Sequence, residues 1–251
     1  MNKFLSRVAM TFLLFGIVDK SNSQTATLVK DINPGTASSI DGAATFSVVD
    51  GNTMYFVASD NGTNYELWKT DGTTGGTIKI SNTQATTSAL GQWWSLNGKF
   101  IFSMYDGNNT YGRELWTTDG TLAGTTLLKD INPGTASSID GAATFSIVAG
   151  NTMYFVATDN GTNYELWKTD GTTAGTIKIS NTQATTSALG QWWSVNSKFI
   201  FSMYDGNNIR GRELWTTDGT LAGTTLLKDI NPGTESSIDG AATFSIVSGN
   251  T

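Results

Sequence analysis

The chain consists of short apolar runs of five to seven residues, separated by small groups of Gly, Asn, Asp and Thr. The first four runs are ATFSVV (44–49), TMYFVAS (53–59), YELWKT (65–70) and GTIKI (76–80), with the turns DGN, DNGTN and DGTTG between them. Asn-Gly and Asp-Gly between such runs are strong hairpin signals, and Thr and aromatic residues favour strands. The pattern predicts four antiparallel strands joined by tight turns.

This pattern recurs about every fifty residues, and pairs of repeats are duplicated. Glu-Leu-Trp recurs with spacings of 48, 51 and 48, starting at Glu66, Glu114, Glu165 and Glu213. KDINPG returns with a period of 99, and residues 30–128 and 129–227 differ at only eight positions. Those positions are Val48/Ile147, Asp50/Ala149, Ser59/Thr158, Gly75/Ala174, Leu96/Val195, Gly98/Ser197, Thr110/Ile209 and Tyr111/Arg210. Tandem four-stranded repeats of this length are typical of the blades of a β-propeller, so we predict an all-β propeller.

The repeat also sets the expected domain boundaries. The predicted blades cover about residues 44–80, 92–131, 143–179 and 191–230, and a fifth begins at 242–251. Residues 25–32 (TATLVKDI) align with the fourth strand of the second repeat (TTLLKDI), so we expect them to form a lone outer strand. Because the strands that would meet this outer strand lie beyond Thr251, we expect the chain to be a fragment of a larger propeller.

Composition excludes several kinds of chemistry. The 251 residues contain no Cys and no His, so neither a Ser-His-Asp or Cys-His nucleophile nor the usual zinc ligand sets can be built. The formal charge is −6 and Lys and Arg form no cluster, which argues against binding to nucleic acid. We therefore expect no cofactor and no catalysis, with a Ca²⁺ ion as the remaining metal candidate.

The N-terminal pattern predicts a signal peptide that covers residues 1–23. Lys3 and Arg7 precede an apolar run of eleven residues, VAMTFLLFGIV, and small residues follow at Ser21 and Ser23. Eleven residues are too few to cross a bilayer, which needs about twenty. We expect cleavage after Ser23, a mature protein without a membrane span, and a location outside the cell or on its outer surface.

Two sets of repeated residues are expected to be structural. The Trp residues of the ELW motifs lie on the third strand of each blade and are predicted to fill the space between blades. The Asp residues of the TDGT words are predicted to accept hydrogen bonds from turn amides. These residues are Trp68, Asp71, Trp116, Asp119, Trp167, Asp170, Trp215 and Asp218.

The words ELWKTDGTTGGT, ELWTTDGTLAGT and LLKDINPG resemble the ELWxxDGT repeat found in exported bacterial surface proteins, often of the Bacteroidetes type. The resemblance covers residues 25–251, and its Glu-Leu-Trp, Asp-Gly-Thr and later Gly-Thr are present in all four copies. It implies export and a role at the cell surface. It supplies no catalytic residues.

Three groups are candidates for ligand binding or chemistry. Trp94 and Trp193 stand next to another Trp on a strand, so one ring could stack on a sugar, although both rings could instead be buried between blades. Oxygen ligands for Ca²⁺ could come from Asp60, Asn64, Asp106 and Asn108, although ordinary hairpin turns explain the same residues. Asp60 and Glu66 could form a carboxylate pair for glycoside hydrolysis.

The favoured function is that of a secreted or cell-surface protein that acts in binding or adhesion, with surface glycans or proteins as partners. The first alternative is a carbohydrate-active propeller enzyme, and the second is a purely structural spacer. An enzyme needs one asymmetric site, whereas the eight differences between the units add no catalytic group. The changes from Tyr111 to Arg210 and from Asp50 to Ala149 are interpreted as drift on loop surfaces.

Overall fold

The computed structural model describes residues 26–40, 47–82, 90–106, 110–139, 146–181, 189–205 and 209–238. The predicted signal peptide (1–23) and the predicted start of a fifth blade (242–251) lie outside these residues. The described residues form strands and turns, and none of them belongs to a helix long and apolar enough to cross a membrane.

Sixteen strands are present, in four groups of four. Blade 1 contains β1 (Ser47–Asp50), β2 (Thr53–Ala58), β3 (Glu66–Thr70) and β4 (Ile78–Lys79). Blade 2 contains β5 (Leu90–Leu96), β6 (Lys99–Tyr105), β7 (Arg113–Thr118) and β8 (Thr126–Lys129). Blade 3 contains β9 (Ser146–Ala149), β10 (Thr152–Thr158), β11 (Tyr164–Thr169) and β12 (Ile177–Lys178). Blade 4 contains β13 (Leu189–Val195), β14 (Lys198–Tyr204), β15 (Arg212–Thr217) and β16 (Thr225–Lys228).

Each blade is one sheet in which consecutive strands pair antiparallel, in the order first, second, third, fourth. In blade 1, for example, Phe56 of β2 lies opposite both Ser47 of β1 and Trp68 of β3. Four such sheets in tandem are the blades of a β-propeller, so the predicted fold class is confirmed.

The core lies between the blades. Side chains of two neighbouring sheets form one cluster at each junction, as expected where every sheet is covered on both faces. Between blades 1 and 2, Val57 and Leu67 pack with Phe102, Met104 and Trp116. The junctions of blades 2 with 3 and of blades 3 with 4 repeat this arrangement with the equivalent residues. Contacts between adjacent repeats therefore hold the array together.

The TDGT turns connect the third and fourth strands, and their hydrogen bonds explain why this motif is repeated. Asp71 Oδ1 accepts from the amide of Thr73 (2.9 Å) and from its hydroxyl (2.7 Å), which hold the pKa of Asp71 below its usual value. The Thr73 hydroxyl in turn accepts from the amide of Gly76 (2.9 Å). A Cβ atom at Gly76 would collide with the Asp71 carboxylate, so the Gly five residues after the Asp is required sterically in all four turns. The same bonds recur at Asp119, Asp170 and Asp218.

The expected outer strand at 25–32 is not a strand in its described part, residues 26–32. Among the described residues no strand pairs with this segment, and an unpaired strand has no partner for its backbone groups. The segment is instead held by side chains. Lys30 Nζ donates to the carbonyl of Thr77 (2.7 Å), Thr74 Oγ1 donates to the carbonyl of Val29 (2.6 Å), and Ile32 is buried against blade 1.

Candidate functional site

Blades 1 and 3 each carry a lysine between two carboxylates. In blade 1, Asp60 follows β2, Glu66 begins β3 and Lys79 ends β4, so three neighbouring strands bring them together. Lys79 Nζ lies 2.8 Å from Asp60 Oδ2 and 3.6 Å from Glu66 Oε1. The same geometry recurs in blade 3, where Lys178 lies 2.8 Å from Asp159 and 3.5 Å from Glu165.

The electrostatics of this lysine centre follow from unequal burial. The Glu66 side chain is 8 % exposed, and this burial raises its pKa, while Lys79 opposes the rise. The hydrogen bond to Asp60 raises the pKa of Lys79, so the ammonium form is favoured at neutral pH. One cation therefore compensates a buried and a half-exposed carboxylate. Burial likewise raises the pKa of Glu165 in blade 3.

This geometry decides whether the predicted carboxylate pair suits glycoside hydrolysis. Asp60 and Glu66 are joined through Lys79 rather than facing an open cleft. A glycosidase pair needs one carboxyl group that protonates the leaving group and a second that attacks or activates water. Here the ammonium group of Lys79 occupies the space where both carboxylates converge. The arrangement suits the stabilisation of a loop better than acid–base catalysis.

The loop above each lysine centre is closed by an asparagine. Asn61 Oδ1 accepts from the amides of Thr63 (2.9 Å) and Asn64 (2.8 Å) and from the Thr63 hydroxyl (3.0 Å). Asn160 makes the same bonds with Thr162 and Asn163 in blade 3. The tip of each loop is exposed, and Asn64 and Asn163 are half-buried at its base. The two blades thus present the same amide and hydroxyl groups in the same conformation.

The residues proposed for Ca²⁺ do not form one site in the described part of the chain. Asp60 is paired with Lys79, whereas Asp106 belongs to blade 2, where its Oδ2 accepts from the amides of Thr110 (3.1 Å) and Tyr111 (3.2 Å). Asn108 lies outside the described residues. Among those that are described, no group of three or more acidic side chains is arranged to hold a metal ion.

Glu114 and Glu213, the ELW glutamates of blades 2 and 4, have a different role. Glu114 is fully buried and accepts from the amides of Ile131 (2.8 Å) and Ser138 (2.9 Å) and from the Ser138 hydroxyl (2.6 Å). These bonds fasten the KDINPG segment and the residues after it to the start of β7. Glu213 makes the equivalent bonds to Ile230 and Ser237.

Burial also makes Glu114 sensitive to pH. Desolvation raises its pKa from 4.5 to about 8, against the opposing effect of its three donors. Because the folded pKa is above the unfolded value, the folded state binds the extra proton between about pH 4.5 and 8. The resulting stability is complete below the unfolded pKa and is lost as the pH rises through 8.

Arg210 has a partner that sequence reasoning missed. Its Nε lies 3.2 Å from Asp229 Oδ2 and its Nη1 lies 3.6 Å from the buried Asp205. The interpretation of this position as drift on a loop surface did not include these contacts, in which the guanidinium bridges two carboxylates of blade 4. Its equivalent, Tyr111, packs against the apolar cluster between blades 1 and 2. The only sign of this contact in the sequence was the positive charge gained at position 210, while both aspartates are the same in the two units.

The tryptophans occupy two kinds of position. The four ELW rings are buried, with exposed fractions of 5–6 %, at Trp68, Trp116, Trp167 and Trp215. Trp94, proposed to stack on a sugar, is half-buried and packs against the cluster between blades 2 and 3. Trp193 is half-buried on blade 4. Both rings keep some solvent-accessible surface, and sugar stacking at these positions stays a prediction.

An apolar groove of about 570 Å³ lies along the outer face of blade 1. It is lined mainly by aliphatic and aromatic side chains, including Leu28, Ile40, Val49, Met54 and Phe56. Leu28 is 80 % exposed and Val49 is 68 % exposed. Exposed apolar surface gathered in one place is characteristic of sites that bind another molecule.

Neither a protein-family model nor a curated protein matches the chain. Among solved structures, it is similar to the computationally designed Ika8 protein, with 14 % identity over 76 % of this chain and 49 % of that one, and a TM-score of 0.38. An alpha-L-arabinofuranosidase from Podospora anserina, in complex with cellotriose, is 10 % identical over 80 % and 74 % of the two chains, with a TM-score of 0.33. Puromycin hydrolase is 14 % identical over 76 % and 29 %, with a TM-score of 0.42. The chain thus spans about half the length of the designed protein and less than a third of the hydrolase.

Proposed function

We propose that this chain is a secreted or cell-surface repeat protein that acts in binding or adhesion and performs no catalysis of its own. The observation that carries the proposal is the duplicated polar loop above each lysine centre, at residues 60–64 and 159–163. The resemblance to ELWxxDGT repeats and the predicted signal peptide support the location. Surface glycans are the preferred ligand class, because exposed amides and hydroxyls complement the hydroxyl groups of sugars.

The charges favour binding over hydrolysis. Each carboxylate of the lysine centres already faces an ammonium group, and the arrangement is the same in blades 1 and 3. An enzyme of this type requires a carboxyl group free to exchange a proton with substrate. A pair of identical loops instead provides two equal contacts with a repetitive ligand, and two weak contacts on one molecule strengthen each other.

The test is binding of the full chain to a glycan array, with variants in one or both loops. Asn64→Ala and Asn163→Ala each remove one amide from a loop base. We expect each single variant to bind about tenfold more weakly or worse, and the double variant to lose binding, because the two-point contact is destroyed. Leu122→Ala and Leu221→Ala are matched controls, since both are 48 % exposed and lie in the turns at the opposite end of the blades.

The same preparation distinguishes the enzyme alternative. Release of sugar from aryl glycosides by the parent chain, abolished when Glu66→Gln and Glu165→Gln are combined, would establish catalysis and overturn the proposal. Binding that is unchanged in the double loop variant would also contradict it. For the proposed location, cell fractionation and N-terminal sequencing should find a surface-bound or secreted protein that begins at Gln24. A protein retained in the cytoplasm with its first 23 residues would contradict export.

A further inference from the structure

A cleft of about 290 Å³ lies between blades 2 and 3, at the end of the blades that carries the TDGT turns. Its walls come from two complete four-stranded sheets in the middle of the array. Blade 2 contributes side chains of β6, β7 and β8, and blade 3 contributes its TDGT turn. The lining residues are Lys99, Thr117, Thr126, Leu127 and Leu128 of blade 2 and residues 171–173 of blade 3. We call this space the inter-blade cleft.

At the neighbouring junctions, large side chains fill the equivalent space. Between blades 1 and 2, the Tyr55 hydroxyl lies 2.9 Å from the position that a Cβ atom of Gly120 would take, and Lys69 Nζ lies 3.6 Å from it. Between blades 3 and 4, the same places beside the turn glycine are taken by Tyr154 and Lys168, next to Gly219. An odd blade therefore packs a tyrosine and a lysine against the TDGT turn of the blade that follows it.

Blade 2 has smaller side chains in these two places. Ile101 lies opposite Thr117 in the pairing of β6 with β7, as Tyr55 lies opposite Lys69 in the pairing of β2 with β3. Beside Gly171 of blade 3, the Ile101 side chain comes only to 3.9 Å from the equivalent Cβ position. The exchange of tyrosine for isoleucine and of lysine for threonine leaves the space that the cleft occupies.

The cleft presents one cation and several hydroxyl groups. Lys99 is exposed and, among the described residues, forms no ion pair. Hydrogen bonds from Thr121 lower the pKa of Asp119, and the charge of Lys99 adds to this effect. Thr117 is 5 % exposed, and its Oγ1 has no hydrogen-bond partner in the part of the chain that the structure describes. A buried hydroxyl without a partner is costly, and a ligand hydroxyl at the floor of the cleft would supply one.

Hydrogen bonds between the two blades hold the walls of the cleft in place. Thr173 Oγ1 donates to the carbonyl of Leu128 (2.8 Å), and Asn97 Nδ2 donates to the carbonyl of Asp170 (3.1 Å). The cleft is therefore formed before a ligand arrives, which reduces the free-energy cost of binding.

We propose that the inter-blade cleft binds one uronic acid residue, with the sugar carboxylate at Lys99. An ammonium group forms a charge-assisted hydrogen bond with a carboxylate. The hydroxyls of Thr117 and Thr126 can donate to ring hydroxyls or accept from them, and Leu127 and Leu128 offer apolar surface to the C–H groups of the ring. The volume lies at the lower end of the range of about 300–1,000 Å³ for ligand pockets, which suits a single small residue.

This site goes beyond the proposed binding function and is separate from its loops. Residues 60–64 and 159–163 connect second and third strands, whereas the cleft lies at the turns between third and fourth strands, at the opposite end of the blades. The cleft and the loops can therefore be altered independently.

The experiment is a chemical-shift titration of the full chain, labelled with nitrogen-15, with three probes. Glucuronate carries the carboxylate and the ring hydroxyls, glucose lacks the carboxylate, and cyclohexanecarboxylate lacks the hydroxyls. We expect glucuronate to bind with a millimolar dissociation constant, and each other probe to bind about tenfold more weakly or worse, because each loses one kind of polar contact. The amides that shift should be those of residues 99, 117 and 171–173.

Variants of the cleft locate the carboxylate and the ring. Lys99→Met should weaken glucuronate binding by about tenfold or more and leave glucose unaffected, whereas Lys99→Arg keeps the charge and should retain binding. Lys69→Met is the matched control, since it removes a lysine from the same end of the neighbouring junction. Thr117→Met places a side chain as long as that of Lys69 in the cleft, without its charge, and should abolish binding. Thr126→Met, at the exposed side, replaces Thr117→Met if circular dichroism shows that the latter fails to fold.

Three results would overturn the proposal. They are the absence of any shift with glucuronate, equal affinities for glucuronate and glucose, and equal binding of glucuronate by Lys99→Met and Lys69→Met. Glucuronate binding that is lost when Asn64→Ala and Asn163→Ala are combined would place the ligand at the loops and also contradict it. Loss of binding to the glycan array with glucuronate binding intact would contradict only the proposed function.

Discussion

Comparing Leu128 with Leu227 measures how much stability a blade gains when the next blade covers it. They occupy the same place in the repeat, but Leu128 is 4 % exposed beneath blade 3 and Leu227 is 48 % exposed. Leu128→Ala removes a side chain whose burial contributes about 1.5–3 kcal/mol and leaves a cavity, so we expect a loss of about 3 kcal/mol. Leu227→Ala leaves no enclosed cavity and removes a half-exposed side chain, so we expect about 1 kcal/mol.

The assay is urea unfolding together with native-state hydrogen exchange, because an array of blades need not unfold in one step. Exchange should accelerate most in β8 and in β10 for the Leu128 variant, and only in blade 4 for the Leu227 variant. Equal losses of stability at the two positions would refute the argument that blade 3 provides the burial of Leu128.

Three further predictions concern buried groups of blades 1 and 2. Trp116→Ala should cost about 3–5 kcal/mol in urea unfolding because the ring is 5 % exposed, and a loss below about 1 kcal/mol would place it outside the core. Glu114→Gln should flatten the decline in stability between pH 5 and 8, measured by unfolding at each pH; an unchanged slope would contradict the raised pKa of Glu114. Lys79→Met should cost about 1 kcal/mol at pH 8 and less at pH 5, where Glu66 takes up a proton more readily, while the exposed Lys99→Met should cost little. A loss that is independent of pH would show that Lys79 does not compensate Glu66.

The features that the sequence predicted are those decided within one repeat. Strands β2 (Thr53–Ala58) and β3 (Glu66–Thr70) lie within the predicted runs 53–59 and 65–70, since apolar runs and the hairpin turns between them are local signals. The TDGT turn was predicted for the same reason: Asp71 and its partner Thr73 are two residues apart. Local hydrogen bonds of this kind do not depend on how the blades are packed.

The candidate site was predicted less well, because its contacts join distant residues. Asp60 and Lys79 are nineteen residues apart, and only the pairing of β3 with β4 brings the lysine to the carboxylates. The repeated ELW glutamate therefore looked equivalent in all four blades. A signal was nevertheless present, since Lys79 and Lys178 of blades 1 and 3 are replaced by Leu127 and Leu226 in blades 2 and 4.

The alternation of lysine and leucine on the fourth strand explains why the same glutamate has two roles. With a lysine on the fourth strand, Glu66 is compensated by a cation that also holds Asp60, and the loop at 60–64 is fixed. With a leucine there, Glu114 accepts instead from the segment that leads to the next blade. Odd blades thus use the glutamate to shape an exposed loop, and even blades use it to fasten the connection between units. A 99-residue unit of two unlike blades is therefore the smallest piece that contains both uses of the glutamate, and it is the unit that the chain repeats.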